Sequence, residues 1–188
     1  PDGVAALVEI SSILKFDFNN NDDFILVLDR IQDPGNMGNL FRTALAAGVN
    51  KILLAGGAYP LGQKVLRASC GSVFHLSFQR FEGNEEEIIN SLLTSLDQIS
   101  KNGFQIISTS SHNENPKKSS QPYWDINWSK RTALILGNEG KGIHKRIKEA
   151  FNETITIPHC ELVESLNVAC VAVPLLLERK RVAYTPNK

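Results

Sequence analysis

The order of apolar and polar segments predicts an α/β fold: a mostly parallel sheet with helices on both faces. Three observations carry this. Short β-branched apolar runs of strand length alternate with longer helical patterns along the chain. Glycines stand where the helical patterns stop. No interior linker, repeat or low-complexity tract interrupts the series, and 188 residues suit one domain with a core large enough to need no disulfide or metal.

The elements follow in order. Phe24 to Leu28 is an uninterrupted apolar run that reads as a buried strand. Met37 to Ala47 is rich in helix formers and stops at Gly48. Lys51 to Ala55 is a second strand, closed by Gly56-Gly57, and Gln63 to Ser69 is a short helix. Val73 to Phe78 has strand composition. Glu85 to Ser100 is the clearest helix: Ile88, Leu92 and Leu96 repeat every fourth residue, the first turn is acidic, and Gly103 ends it. Phe104 to Thr109 is a strand. Ser110 to Gln121, polar and carrying Pro116, reads as a mobile loop. Thr132 to Leu136 is a strand, His144 to Phe151 a helix and Thr154 to Ile157 a strand. Val168 to Arg181 is a final apolar helix with a basic end and Pro174 inside it.

Composition narrows the function. The chain is 42% hydrophobic and 21% charged, an ordinary globular balance that excludes disorder for its bulk. No apolar run has the length of a membrane span. Cys70, Cys160 and Cys170 are odd in number and lack C-x-x-C spacing, which disfavours a disulfide scaffold or structural zinc and suits a reducing compartment. Lys plus Arg and Asp plus Glu each number 20. Zero net charge argues against gripping nucleic acid by long-range electrostatics alone and leaves a local basic patch open. Pro1-Asp2-Gly3 shows neither a Met nor a basic signal segment, suggesting a fragment or a processed chain. The expected location is cytoplasmic, or an organelle matrix if a transit peptide was removed. The sequons at Asn127 and Asn152 are read as chance.

Several signatures are missing. Gly137-Asn138-Glu139-Gly140-Lys141-Gly142 lacks the Gly-Lys-Ser/Thr end of a P-loop. No G-x-G-x-x-G follows the first strand, and no G-x-S-x-G nucleophile elbow occurs. His75, His112, His144 and His159 lack metal-ligand spacing, so no metal is expected. In open parallel sheets ligands bind beyond the carboxyl ends of the strands. Three loop segments there stand out. Asp33 to Ala44 contains Pro34, Gly35, Asn36, Gly38 and Arg42; read plainly it is a turn in which Asn36 caps a helix and Arg42 is a surface charge. Leu136 to Gly142 is a glycine turn whose open amides also suit close approach of a ligand. Ile157 to Val168 leaves a strand at Pro158 and enters a helix near Ser165 or Asn167.

In order and spacing these three segments resemble the motifs of the SpoU (TrmH) branch of the SPOUT methyltransferases. The matching residues are Asp33-Pro34 through Asn36, Gly38, Arg42, Thr43 and Ala44; Leu136-Gly137-Asn138-Glu139-Gly140 with Gly142; and Ile157-Pro158 through Ser165-Leu166-Asn167-Val168. The resemblance runs from Gly3-Val4-Ala5 to the last helix. It implies the whole of 1–188 is a SpoU-type catalytic domain, with the N-terminal RNA-binding domain that many members carry absent. It implies a knotted SPOUT-type fold with a C-terminal trefoil knot, and transfer of a methyl group from S-adenosyl-L-methionine to a ribose 2′-hydroxyl of structured rRNA or tRNA. Carried over, Gly137, Ile157 and Leu166, with Thr109 as a further candidate, surround the cofactor. Arg42 is assigned to the reaction centre, with Asn36, Glu139, Ser165 and Asn167 around it.

The chemistry fits those types. A ribose hydroxyl must be oriented, relieved of its proton and steadied as an oxyanion. An arginine with pKa above about 12 is a poor base. Arg42 is therefore expected to hold the neighbouring phosphate and the oxyanion, a water-shielded neutral form being the other option. Glu139 either orients Arg42 through a bidentate pair or serves the loop's geometry. The resemblance, in which the last helix helps form a dimer, implies a homodimer; Val168, Val171, Leu175 and Leu176 have helical spacing as its candidate face, and Pro174 bears on its packing angle. A catalytically silent knotted RNA-binding module is the alternative. An unrelated nucleotide-binding domain would need a phosphate loop, which the chain lacks.

Overall fold

The structure, a computed structural model, describes Gly3 and residues 22–49, 51–110, 120–160 and 162–184. Val4-Ala5, residues 111–119 of the polar segment and Glu161 lie outside the described residues. Seven strands form one sheet in the order β3-β2-β1-β6-β4-β7-β5, and every pairing is parallel. The strands are β1 (Phe24–Asp29), β2 (Lys51–Ala55), β3 (Ser77–Phe81), β4 (Gln105–Thr109), β5 (Gln121–Pro122), β6 (Thr132–Leu136) and β7 (Thr154–Thr156). The helices are α1 (Pro34–Ala47), α2 (Gln63–Ser69), α3 (Glu85–Lys101), α4 (Lys145–Ala150) and α5 (Val168–Ala183).

The two-residue period of the central strands divides the core. In β1, Phe24, Leu26 and Leu28 face a layer with α1, α2 and α5, while Ile25 and Val27 face one with α3 and α4. β2 and β6 alternate likewise, with Ile52, Leu54, Leu134 and Leu136 on the first face and Leu53, Ala55, Ala133 and Ile135 on the second. Burial on both faces is why these strands read as continuous apolar runs. Each fully buried Leu or Ile contributes about 1.5–3 kcal/mol of transfer free energy. Trp128 closes the first layer, its indole N–H donating to the Tyr123 carbonyl at 2.7 Å.

Helix ends follow capping chemistry. α3 starts with a reciprocal capping box, Asn84 accepting from the Glu87 amide and Glu87 from the Asn84 amide. α1 ends at Gly48, whose φ of 84° is the left-handed value expected of a C-cap. α5 continues through Pro174, so the helix absorbs the missing donor without breaking. Its far end is tied down by the Arg179–Asp23 ion pair at 2.6 Å, beside the start of β1.

Two expectations are corrected. The strand expected over Val73–Phe78 is a 3₁₀ turn, Ser72–His75, followed by β3. Cys70 and Gly71 both hold positive φ and turn the chain, so buried Val73 plugs the core while the more polar Ser77–Phe81 forms the sheet edge. The helix face expected to be free for a partner is also used internally: Leu175 and Leu176 are fully buried and Val168 nearly so, packed on this chain's own core, with Val171 against it. The polar segment also ends in a short edge strand, β5, which its composition did not suggest. Among the described residues no helix is long and apolar enough to cross a membrane.

α1 and α2 approach closely at Gly38. A Cβ there would stand 2.5 Å from the Ala68 Cβ and 2.8 Å from both the Ser69 nitrogen and the Val65 carbonyl oxygen. Backbone cannot yield cheaply, so Gly38→Val is expected to destabilise by about 2–3 kcal/mol. At about 2–4 °C per kcal/mol for a domain this size, thermal denaturation should show a midpoint lower by roughly 4–12 °C. Gly140→Ala, where the added carbon meets only Asn138 Oδ1 at 3.8 Å, should leave the midpoint unchanged.

Candidate active site

The loops after β4, β6 and β7 enclose a cavity of about 360 Å³ beyond the carboxyl ends of the strands. Its apolar wall includes Ile143, Ile155 and Leu175, and its rim carries Glu139, Glu164 and Ser165. The N-termini of α1 and α5 both point to this end of the sheet. Asp33 caps α1, its carboxylate accepting from the Asn36 amide at 2.7 Å, with Pro34 opening the helix. Asn36, expected to cap, is instead the first-turn residue whose amide Asp33 accepts, and its side chain is committed to Glu139 and Asn167. Asn167 caps α5, its Oδ1 accepting from the Ala169 and Cys170 amides at 2.9 and 3.3 Å.

One carboxylate joins these elements. Glu139 accepts from the Gln32 amide at 3.2 Å, the Asp33 amide at 3.3 Å and Asn36 Nδ2 at 3.0 Å. Asn36 Oδ1 then accepts from Asn167 Nδ2 at 3.0 Å. The chain Glu139–Asn36–Asn167 thus ties together all three loop segments. Desolvation pushes the Glu139 pKa up, but the donors from Asn36, its own backbone, Gln32 and Asp33 together outweigh it. The carboxyl is held below its ordinary value. It is a saturated acceptor and a weak base, so it organises the loops and does not take protons near neutrality.

The cavity gathers six of the nine expected residues. Thr109, Gly137, Ile157 and Leu166 line it, as do Glu139 and Ser165. Asn36 and Asn167 reach the group through the hydrogen-bond chain. Arg42 stands apart: it is exposed, its Nη1 lies 3.7 Å from Cys70 Sγ, and no hydrogen bond or ion pair joins it to Glu139 or Ser165 among the described residues. Helical geometry explains this. Six residues after Asn36 is a rotation of about 240°, which turns Arg42 off the Asn36 face and toward α2. Of the two roles open to Glu139, its hydrogen bonds go to the loops and not to Arg42.

The glycine turn has a steric cause. A Cβ on Gly137 would stand 2.5 Å from Gly142 C and Ile143 N, so the strand can leave the sheet beside the returning loop only without a side chain there. Asn138 completes the turn, accepting from the Gly140 and Lys141 amides and donating to the Arg30 carbonyl at 2.8 Å. Two further groups were not anticipated. Asp29, fully buried, receives Arg30 Nε at 2.8 Å and the His144 amide at 2.7 Å, which locks β1 to the start of α4. Its signal was legible: a lone acid ends the apolar run of β1. His159 spans its own loop, with Nδ1 2.8 Å from the Ile157 carbonyl oxygen and Nε2 3.1 Å from that of Val163. No periodicity announces that contact.

A parallel sheet with a glycine-walled cavity at its carboxyl edge, knitted by Glu139, Asn36 and Asn167, defines a ligand-binding α/β domain of the doubly covered class. The chain belongs to the SpoU rRNA Methylase family, which it matches over residues 23–177. It is 36% identical over 166 residues to an uncharacterized tRNA/rRNA methyltransferase of Synechocystis, covering 86% of this chain and 56% of that protein. It is 34% identical over 153 residues to the 23S rRNA (guanosine(2553)-2′-O)-methyltransferase RlmP of Bacillus subtilis, covering 81% and 56%. A crystal structure of AdoMet-bound rRNA methyltransferase from Sinorhizobium meliloti is similar at a TM-score of 0.71 with 30% identity, over 87% of this chain and 57% of that one. The chain spans somewhat over half the length of these relatives.

Glu139→Gln replaces an acceptor of three donors by a group with one oxygen and a competing NH₂. Hydrogen exchange at the Gln32 and Asp33 amides should accelerate about five-fold, matching a loss of about 1 kcal/mol. The pH sign follows from the lowered pKa. Glu139's stabilisation is complete above the ordinary carboxylate value and disappears as pH falls through its own lower value. Protection factors at these amides should therefore persist through about pH 4.5 and fall only below it, with no such step in Glu139→Gln.

Proposed function

We propose that this chain is the catalytic unit of a homodimeric RNA 2′-O-ribose methyltransferase using S-adenosyl-L-methionine on rRNA or tRNA. The observation that carries it is the shared cavity: Thr109, Gly137, Ile157 and Leu166, which the family motifs assign to the cofactor, line one space with Glu139 and Ser165. The residues suit the cofactor. The volume is that of a small-molecule site, the walls are apolar, and the Gly137–Gly142 turn offers backbone at close range. The AdoMet-bound relative and the RlmP relative support the same assignment. The C-terminal trefoil knot belongs to this reading, as does an internal cellular location.

The bound cofactor supplies an electrophilic methyl group. The chain supplies position. Glu139, Asn36 and Asn167 fix the loops in register, so that the ribose hydroxyl meets the methyl at one distance and angle. Ser165, on the cavity rim, orients the hydroxyl. Arg42, off the cofactor wall, holds the phosphate of the target nucleotide and stabilises the oxyanion as its proton leaves. Dimerisation uses the outward side of α5, where Val173 and Leu177 stand on one line and remain about 42% and 45% exposed.

Isothermal titration should show saturable S-adenosylmethionine binding and none of NAD; the reverse result would overturn the assignment. Arg42→Ala should slow single-turnover methylation of RNA by roughly 10²-fold or more, with cofactor affinity and folding unchanged. Lysine should rescue it poorly, since it lacks the planar fork. Normal turnover in Arg42→Ala would remove that role. Sedimentation at micromolar concentration should give a dimer that Leu177→Glu dissociates.

A further inference from the structure

The zero net charge of the chain is not evenly spread. Residues 34–81 contain five Lys or Arg and no Asp or Glu, leaving the remainder net acidic by five. Lys51 is buried in an ion pair with Asp22 at 2.6 Å, and Arg80 is largely enclosed. The other three, Arg42, Lys64 and Arg67, are exposed. Lys64, Arg67 and Cys70 recur every third residue along one side of α2 and its cap, a ridge about 9 Å long. Arg42 from α1 lies against Cys70 and so extends the row by a third cation.

An aromatic platform stands at the other end. Tyr59, 55% exposed, precedes α2 on the loop after β2. Arg80 braces that loop, donating to the Ala58 carbonyl at 2.8 Å and to those of Gly56 and Gly57, with its guanidinium 5.8 Å from the Tyr59 ring. The Ala58 amide donates to the Ile31 carbonyl at 2.8 Å, immediately before the Gln32 and Asp33 amides that bind Glu139. Tyr59 thus follows a braced loop beyond the carboxyl end of β2, four residues before α2 begins at Gln63.

We propose that Tyr59 and the Lys64–Arg67–Arg42 ridge form the track for an unpaired stretch of the RNA beside the target nucleotide. A base stacks on Tyr59, flanking phosphates lie along Lys64 and Arg67, and the row ends at Arg42, which holds the target phosphate. Single-stranded RNA is recognised by this combination of an exposed aromatic face and a cationic row. The inference rests on the RNA methyltransferase reading and adds to it where the strand runs.

The test is fluorescence anisotropy with a fluorescein-labelled stem–loop RNA bearing an unpaired uridine-rich loop, across a salt series, using the whole chain. Lys64→Ala with Arg67→Ala should weaken binding at least ten-fold and lower the salt slope by about 2. Tyr59→Ala should weaken it about ten-fold and Tyr59→Phe little, because the stacking face survives. Lys145→Ala, on exposed α4, should leave it unchanged, and S-adenosylmethionine titration should be the same in all variants. Wild-type affinity and slope in the double variant would overturn the track while the function stands. Wild-type protein that neither binds nor methylates any RNA would overturn both. Equal binding of polyglutamate, insensitive to Tyr59→Ala, would make the ridge a general polyanion site and end the RNA assignment.

Discussion

The arrangement of the site depends on one carboxylate. Glu139 sits in a loop after β6 yet spends its acceptors on the approach to α1, at Gln32, Asp33 and Asn36. Through Asn36 it also reaches Asn167, whose other amide atom caps α5. Three loops, the first more than a hundred residues from the other two, are held in register by short polar contacts. Such a network is worth having only when every member is satisfied. Here Asn36 and Asn167 each use both the donor and the acceptor of their amide, or an amide and a cap, so removing one member strands the next.

That network explains a division of labour within the motifs. Residues that the motifs group together do different physical work. Gly137 is required by close approach of backbone, and Asn138 by the turn that follows it. Glu139 and Asn36 are acceptor and donor in a clamp. Ile157 and Leu166 are wall. Arg42, on the same helix as Asn36, faces a different direction and a different neighbour. A motif is therefore not one constellation in space. It is a helix or loop whose successive residues address different partners.

Charge shows the same separation. A neutral total is compatible with an acid-free stretch of α1, α2 and β3, facing away from the acidic first turn of α3 across the sheet. Because the two faces of a parallel sheet are covered by different helices, each face carries its own charge without affecting the sum. The total bears on solubility; the local row bears on what the surface attracts.

The sequence by itself determined the parallel α/β architecture, most element positions, the glycine and asparagine stops, and two of the loops that line the cavity. It could do so because burial on both faces, capping and glycine turns are local requirements, each satisfied by residues a few positions apart. The Val73–Phe78 segment misled because strand composition there serves a buried turn, while the real edge strand is half exposed and so more polar. The same locality limited the last helix: its apolar line was legible, but whether that line meets its own sheet or another surface was not. Only the tertiary structure decided that Glu139 pairs with Asn36 and two backbone amides and not with Arg42. It also decided that Asp29 anchors α4, and that Arg42 lies against Cys70 at the end of α2. These outcomes turn on the rotation of a side chain about a helix axis and on contacts between distant segments. The first follows from spacing only once the helix and its partners are placed, and the second is not encoded in spacing at all.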